Sequence, residues 1–169
     1  MISLCEVNAM THVDFIERFG HVAEHAPWVA ERAFGERPYA SRDAMITAFQ
    51  AAIRAAGEAA QLRLIRAHPD LAGRAAVAGD VTEDSRNEQV GAGLDRLTPD
   101  EFARFCDLNS RYRARFAIPF IFAVKGTTKQ QIIQGFSDRL GNDLEAELAN
   151  ALDQICRIVG LRIAERVAP

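Results

Sequence analysis

The chain has 169 residues, 49% of them apolar and 25% charged, which is ordinary for a single globular domain. This composition excludes disordered and collagen-like chains, and at this length a core forms without disulfides or a structural metal. The formal net charge of −3 argues against a nucleic-acid partner, although 18 of the 20 basic residues are arginine.

The sequence shows no signal for a membrane or for export. Its longest uncharged apolar run has nine residues, Phe116 to Val124, whereas a membrane-spanning helix needs about 20. The three cysteines, Cys5, Cys106 and Cys156, form no CxxC pair, and the first residues lack a basic region followed by an apolar one. We therefore expect a cytoplasmic protein with reduced thiols and no membrane segment.

Helix-start and helix-stop signals divide the first half of the chain into four segments. Thr11, with an acidic residue three positions later, predicts the first helix, and a second helical segment follows over about residues 22–34. Ser41 caps the third helix, and Gly57 separates it from a fourth, which Pro69 closes.

The second half of the chain carries signals for four more helices. Thr82 or Ser85 opens the first of them. Thr98 is followed by proline at the first helical position and glutamate at the third, which is a strong start signal. Thr127 and Asn142, each followed three positions later by Gln or Glu, open the last two.

The apolar run around Pro119 fits either a short strand or a buried loop, and its proline and isolation favour the loop. All other predicted elements have helical spacing. We therefore predict an all-α fold, a single compact domain of about eight helices over residues 1–169.

Arg162 interrupts the apolar face of the last predicted helix. At 100° per residue it falls in line with Leu144, within the stripe that holds Ala151, Ile155 and Val159. A guanidinium in this position needs a partner, because an unpaired buried charge is strongly destabilising. Two interpretations stay open, namely a structural ion pair with an Asp or Glu, and a clamp that binds an anion or carbonyl group in a pocket.

His68 shares a helix face with Leu64 and Ile65, and Pro69 ends that helix beside it. The helix dipole at this end favours a protonated imidazole, which suits a proton donor or an anion contact. The alternative is a histidine that caps the last carbonyl groups.

Ser85, Glu88 and Gln89 fall within about 100° of arc on a helix, so that a hydroxyl, a carboxylate and an amide face one space. The sequence Ser85-x-x-Glu88 is also that of a capping box, and this structural interpretation stays open. Asn109, on an aromatic helix stripe, is a further buried polar candidate, either as a ligand or as a satisfied structural amide.

No metal site is expected. His21 and His25 have the i,i+4 spacing of a metal-binding pair, but no downstream His or Cys cluster completes a site. The sequence also lacks a Gly-rich phosphate loop, a GxSxG elbow and a Cys/His nucleophile signature.

A series of short motifs spans nearly the whole chain. They are Glu24-His25-Ala26-Pro27-Trp28, His68-Pro69-Asp70-Leu71-Ala72-Gly73, Ser85-Arg86-Asn87-Glu88-Gln89, Gly93-Leu94, Asn109, Tyr112, Phe116, Pro119-Phe120-Ile121, Arg139-Leu140, Asn142 and Leu161-Arg162. In order and spacing the sequence resembles the OHCU decarboxylase family. Members of this family act on 2-oxo-4-hydroxy-4-carboxy-5-ureidoimidazoline (OHCU) in the conversion of urate to allantoin.

The resemblance implies a set of site residues. His68 corresponds to the family's catalytic histidine and Glu88 to its acidic partner. The substrate contacts that it implies are Pro69, Ser85, Gln89, Phe120, Ile121, Phe122, Ala123, Val124 and Arg162. In the segment 120–124 backbone groups are expected to matter more than side chains. The family's usual Phe-Gly-Phe-Pro-Phe reads Phe-Ala-Ile-Pro-Phe here, starting at Phe116.

The resemblance also implies an all-helical homodimer with a small-molecule substrate and no cofactor. The activity expected from it is that of a carbon–carbon lyase that converts OHCU to (S)-allantoin in urate catabolism. Two alternatives stay open, which are a non-catalytic helical interaction module and an enzyme of the same fold that acts on a related ureido or imidazoline acid.

Overall fold

The computed structural model describes residues 1–72 and 82–169, and these ranges contain nine α-helices and no named β-strand. The helices are α1 (Leu4–Ala9), α2 (His12–Phe19), α3 (Pro27–Phe34), α4 (Arg42–Arg54), α5 (Glu58–Ala67), α6 (Glu83–Gly91), α7 (Pro99–Phe116), α8 (Lys129–Arg139) and α9 (Leu144–Arg166). The prediction of an all-α fold is confirmed. No helix in the described ranges is long and apolar enough to cross a membrane.

Contacts within the chain define two compact units. The first unit consists of Met1–Ala67 and Ile155–Pro169, and the second of His68–Gln154. Helix α9 contributes residues to both units. The assignment of residues 1–169 to one domain stays a prediction.

The first unit has an aromatic core. Phe15 and Phe19 of α2 are fully buried, with ring centroids 4.9 Å apart, and Phe49 of α4 lies 6.1 Å from Phe15. The two ends of the chain are joined within this unit, because Ile2 N–H donates to Arg166 O at 2.8 Å. Helix α1, which has a capping box that begins at its N-terminal serine, was not expected from the sequence.

The second unit has its own aromatic core, formed by α7, α8 and the loop between them. The rings of Phe120 and Phe136 stack with centroids 3.7 Å apart, and the ring of Tyr112 meets Phe120 edge-on at 5.2 Å. The run around Pro119 is irregular and buried, so the loop interpretation is confirmed.

Several helix starts agree with the sequence signals. The side chains of Thr11, Ser41 and Thr98 each accept a hydrogen bond from the third residue of the helix that follows. Helix α6 is capped by Thr82, whose hydroxyl accepts from Ser85 N–H at 3.3 Å. Ser85 therefore lies inside the helix, and its interpretation as a capping residue is wrong.

Three other helix boundaries differ from the prediction. Helix α3 begins at Pro27 rather than near residue 22, because residues 20–25 form turns in which Glu24 has a φ of 53°. Helix α8 is capped by Thr128, one residue later than expected, through a complete capping box. At α9 the side chain of Asp143 rather than Asn142 accepts the capping bond.

Candidate active site

Both buried residues of helix α6 are polar, whereas the other helices bury mainly apolar side chains. Its two buried residues are Ser85 and Gln89, one turn apart and each 6% exposed. Glu88 lies on the same side of the helix and is half-buried. Because a buried polar group is unfavourable unless it is hydrogen-bonded, this face needs polar partners, and it is a candidate substrate site.

His68 follows the last residue of α5 and is 6% exposed, at the helix end that the sequence predicted. The half-buried Pro69 comes next and directs the chain away from the helix. An imidazole in this place is screened from bulk water and lies near the carbonyl end of α5.

The residues after His68 are held by α6 and α7. Ala72 N–H donates to Gln89 Oε1 at 3.0 Å, and Asn109 Nδ2 donates to the Leu71 carbonyl at 2.8 Å. A side chain expected to bind substrate therefore also fixes the segment that begins at His68. Asn109 is buried, and within residues 1–72 and 82–169 its Oδ1 makes no hydrogen bond.

The segment 120–124 lies in the same unit and is buried except for Phe122, which is half-exposed. The carbonyl of Ile121 accepts a hydrogen bond from Arg139 Nη1 at 2.7 Å. The N–H of Ala123 donates to Gln154 Oε1 at 2.9 Å. Side chains of α8 and α9 therefore hold the backbone of this segment.

A buried carboxylate, Glu147 of α9, organises the polar groups beside this segment. It accepts hydrogen bonds from Arg139 Nε at 2.9 Å, from Asn142 and Asn150 at 2.7 and 2.9 Å, and from the hydroxyl of Tyr112. Burial raises the pKa of Glu147, but the hydrogen bonds, that from Arg139 first, outweigh burial and leave the pKa below its ordinary value. Glu147 is therefore an anion that its donors stabilise.

Sequence reasoning did not assign a role to Glu147, Arg139 or Gln154. The signal for Glu147 is its spacing, because it lies four residues before Ala151 and eight before Ile155 on the buried face of α9. The contacts of the other two side chains depend on where the irregular segment 120–124 runs, which helical spacing does not encode.

Arg162 lies in the first unit and is 1% exposed. Its Nη2 donates to Glu24 Oε1 at 2.9 Å and its Nη1 to the carbonyl of Val22 at 3.3 Å. The ion pair that the sequence left open is present, and a role in substrate binding stays a prediction. The predicted stripe was wrong at Leu144, which is 51% exposed because it starts the helix.

A metal site finds no support in the described part of the chain. There, no group of three or more His, Cys, Asp or Glu side chains is placed to hold a metal ion. His21 and His25 lie in turns before α3, so their helical i,i+4 spacing is not realised.

Comparison with known proteins finds relatives that match nearly the whole chain by sequence. The family model described as OHCU decarboxylase matches residues 8–164. A 2-oxo-4-hydroxy-4-carboxy-5-ureidoimidazoline decarboxylase of Haloferax volcanii is 39% identical over 165 residues, which cover 98% of this chain and 96% of that protein. A protein of the same description from Halalkalicoccus jeotgali is 37% identical over 164 residues, covering 97% and 91% of the two chains.

A solved structure has a similar fold. The crystal structure of an OHCU decarboxylase in the presence of (S)-allantoin superposes with a TM-score of 0.70 at 21% identity, covering 87% of this chain and 95% of that one. At this identity the similarity extends to the fold alone.

Proposed function

Because the chain belongs to the OHCU decarboxylase family, we propose that it converts OHCU to (S)-allantoin, with His68 and Glu88 as its catalytic residues. The observation that supports this site best is the inward polar face of α6, where Ser85 and Gln89 are buried beside Glu88. A non-catalytic helical module would be expected to bury apolar residues there.

The substrate supplies its own electron sink. When the bond from C4 to the carboxylate breaks, its electron pair moves towards the adjacent ring C=N, and carbon dioxide leaves. The ring nitrogen that receives the electron pair takes a proton, which leaves a neutral enol. The enol takes a second proton at the carbon that carries the ureido group, and loss of the hydroxyl proton gives the ring carbonyl of allantoin, so that one proton is consumed for each carbon dioxide released. Delivery of the proton to one face sets the (S) configuration, and this electron flow requires no cofactor.

His68 contacts the 4-hydroxyl and the carboxylate and moves the proton, while Glu88 orients His68 or the hydroxyl. The near-complete burial of His68 supports this role, because a shielded imidazole exchanges protons with the substrate rather than with bulk water. Pro69, next in the chain, contacts the substrate at the same helix end.

The remaining contacts hold the substrate in a reactive conformer. Ser85, Gln89 and Arg162 bind the oxygens and nitrogens of the ring and the ureido group, together with the backbone of 120–124. They favour the conformer in which the carboxylate lies out of the ring plane, so that the breaking bond is aligned with the C=N π system.

The proposal also covers the domain organisation, the oligomeric state and the location of the protein. Residues 1–169 act as one domain, which the family match over residues 8–164 supports. The homodimer that the family implies is tested by light scattering on the purified protein. We also propose a cytoplasmic location, which the lack of a CxxC pair among the three cysteines of the sequence supports.

The catalytic assignment is tested by His68→Asn and Glu88→Gln. OHCU is generated from urate in the assay, and release of carbon dioxide and the optical activity of allantoin are followed. Each variant is expected to lose activity by about 10²–10⁴-fold, because proton transfer by a positioned side chain contributes that much.

Two exposed residues provide matched controls, His21→Asn and Glu83→Gln, and both variants should retain wild-type turnover. Stereoselective turnover at the wild-type rate in both His68→Asn and Glu88→Gln would contradict the assignment. A wild-type protein that releases no carbon dioxide from OHCU would favour the non-catalytic module or a different ureido acid.

A further inference from the structure

Two side chains from different helices hold the two peptide groups on either side of Phe122. Arg139 of α8 donates from Nη1 to the carbonyl of Ile121 at 2.7 Å, and Gln154 of α9 accepts from the N–H of Ala123 at 2.9 Å. All five residues belong to the second unit.

These two bonds determine where the backbone groups of Phe122 point. Both flanking peptide groups are trans and planar, so the C=O and N–H of each group point in opposite directions. The bond from Arg139 to the Ile121 carbonyl therefore directs the N–H of Phe122 away from Arg139. In the same way the bond from Ala123 to Gln154 directs the C=O of Phe122 away from Gln154.

Phe122 is also the residue of this segment that reaches the surface. It is half-exposed, whereas Phe120, Ile121, Ala123 and Val124 are each 3% exposed or less. Its ring packs against Gly135 of α8, where an added Cβ would lie 2.8 Å from Phe122 Cε2. The packing and the two hydrogen bonds fix the residue from three sides.

Arg139 is itself fixed. Its Nη2 lies 2.8 Å from Glu147 Oε2, and the two side chains are 12% and 0% exposed. Its guanidinium also lies over the ring of Phe120, 4.6 Å from the centroid. A planar group held by an ion pair and a ring keeps its Nη1 donor aimed at the carbonyl of Ile121.

We propose that Arg139 and Gln154 are positioning residues that present the N–H and C=O of Phe122 to the amide-like edge of the substrate. A ureido group carries an N–H and a C=O side by side, which pair with a backbone C=O and N–H. The inference rests on the proposed function, because the segment 120–124 binds substrate only if the protein acts on OHCU.

The test is steady-state kinetics on two variants from different helices, Arg139→Lys and Gln154→Met. Each removes one hydrogen bond to the segment, so we expect KM for OHCU to rise about tenfold or more with kcat within about threefold of wild type. The inhibition constant of the product (S)-allantoin should rise by a similar factor, which is a binding measurement independent of the chemical step.

Two controls separate positioning from a loss of stability. Gln154→Glu keeps an acceptor oxygen for Ala123 N–H and should keep KM within about twofold of wild type. Gln50→Met removes the hydrogen bond that Gln50 Nε2 donates to the carbonyl of Cys156 in the first unit, so it should lower the melting temperature and leave KM unchanged.

The outcomes are distinct. A folded Gln154→Met variant with wild-type KM and product inhibition overturns the proposal. Equal rises in KM for Gln50→Met and Gln154→Met also overturn it, because general loosening then explains both. Turnover of OHCU by the wild-type protein is measured first. If there is none, the proposed function itself has failed.

Discussion

At the residue scale, Arg162 combines an observed structural contact with a proposed binding contact. Arg162 and Glu24 carry opposite charges, and each side chain is 1% exposed. Their burial is tolerated because they form a charge-assisted hydrogen bond of 2.9 Å.

We expect Arg162→Lys to lose turnover of OHCU while the fold is retained. The ammonium still carries the charge that Glu24 needs, but it lacks the planar fork that binds two acceptors at once. Turnover is measured together with the far-ultraviolet circular dichroism and the urea midpoint of the variant.

A second variant measures how much stability is lost when the ion pair between Arg162 and Glu24 is broken. Glu24→Gln leaves Arg162 buried without its anion and is expected to lose about 3–5 kcal/mol of stability, whereas the exposed control Glu31→Gln should change it by less than about 0.5 kcal/mol. Unfolding of Arg162→Lys to the same extent as Glu24→Gln would leave Arg162 with a structural role only.

At the element scale, the end of α7 has a residue in an unfavourable conformation. Ala117 closes the helix with φ 55° and ψ 24°, and its N–H donates to the Arg113 carbonyl at 2.9 Å. The left-handed region disfavours a residue with a Cβ, and glycine is the common choice at this position of a helix end. This is also the position at which the family pattern usually has glycine.

Ala117→Gly is therefore expected to stabilise the protein by about 0.5–1 kcal/mol. Relief of the left-handed conformation contributes about 1–2 kcal/mol, and the greater freedom of glycine in the unfolded chain offsets about 0.4–1 kcal/mol of this. Urea unfolding measures the difference.

The matched control is Ala103→Gly in the exposed interior of the same helix, where the substitution should destabilise by about 1 kcal/mol. If both variants lose the same stability, then Ala117 is not strained. Because Ala117 precedes the proposed substrate segment by three residues, the variant also shows whether the alanine changes KM.

At the scale of the whole molecule, stability should depend on the charge of Glu147. Its pKa in the folded protein lies below the ordinary value of 4.5, since its four donors outweigh the opposing effect of burial. A carboxylate whose pKa is lowered by folding stabilises the fold at every pH above its ordinary pKa. This stabilisation is lost as the pH falls through the pKa of the folded protein.

We expect Glu147→Gln to be less stable than wild type by about 3–5 kcal/mol at pH 7, because Arg139 loses its buried partner. The difference should shrink as the pH falls below 4.5. Urea unfolding of both proteins from pH 7 to pH 3.5 measures it, with the exposed Glu145→Gln as a control. A difference that is constant over this range would show that Glu147 does not stay ionised in the fold.

Local signals predicted most of the elements because capping is a local interaction. Thr11, Ser41 and Thr98 cap helices through bonds to residues three positions away, which can be read from spacing alone. Two of the errors occurred where adjacent residues compete for one cap, at Thr128 and Asp143, because the choice depends on how the preceding loop approaches the helix.

Part of the candidate site was predictable, because helical periodicity shows which polar residues share a helix face or lie at a helix end. His68 was expected at the end of α5 and lies there, buried. Ser85, Glu88 and Gln89 were expected to share one face of a helix, and on α6 Ser85 and Gln89 are buried. Contacts across the fold were not predictable, because Arg139 and the carbonyl of Ile121 are 18 residues apart and only the path of the loop brings them together.

The sequence by itself therefore determined the all-helical fold, the family, and the residues whose chemistry suits a decarboxylase. These properties depend on periodicity, caps and the order of short motifs, which are local along the chain. Only the tertiary structure decided that Arg162 pairs with Glu24 and that Glu147 and Arg139 hold the segment 120–124. The physical reason is that a buried charge takes whichever partner the packed helices bring within hydrogen-bond distance.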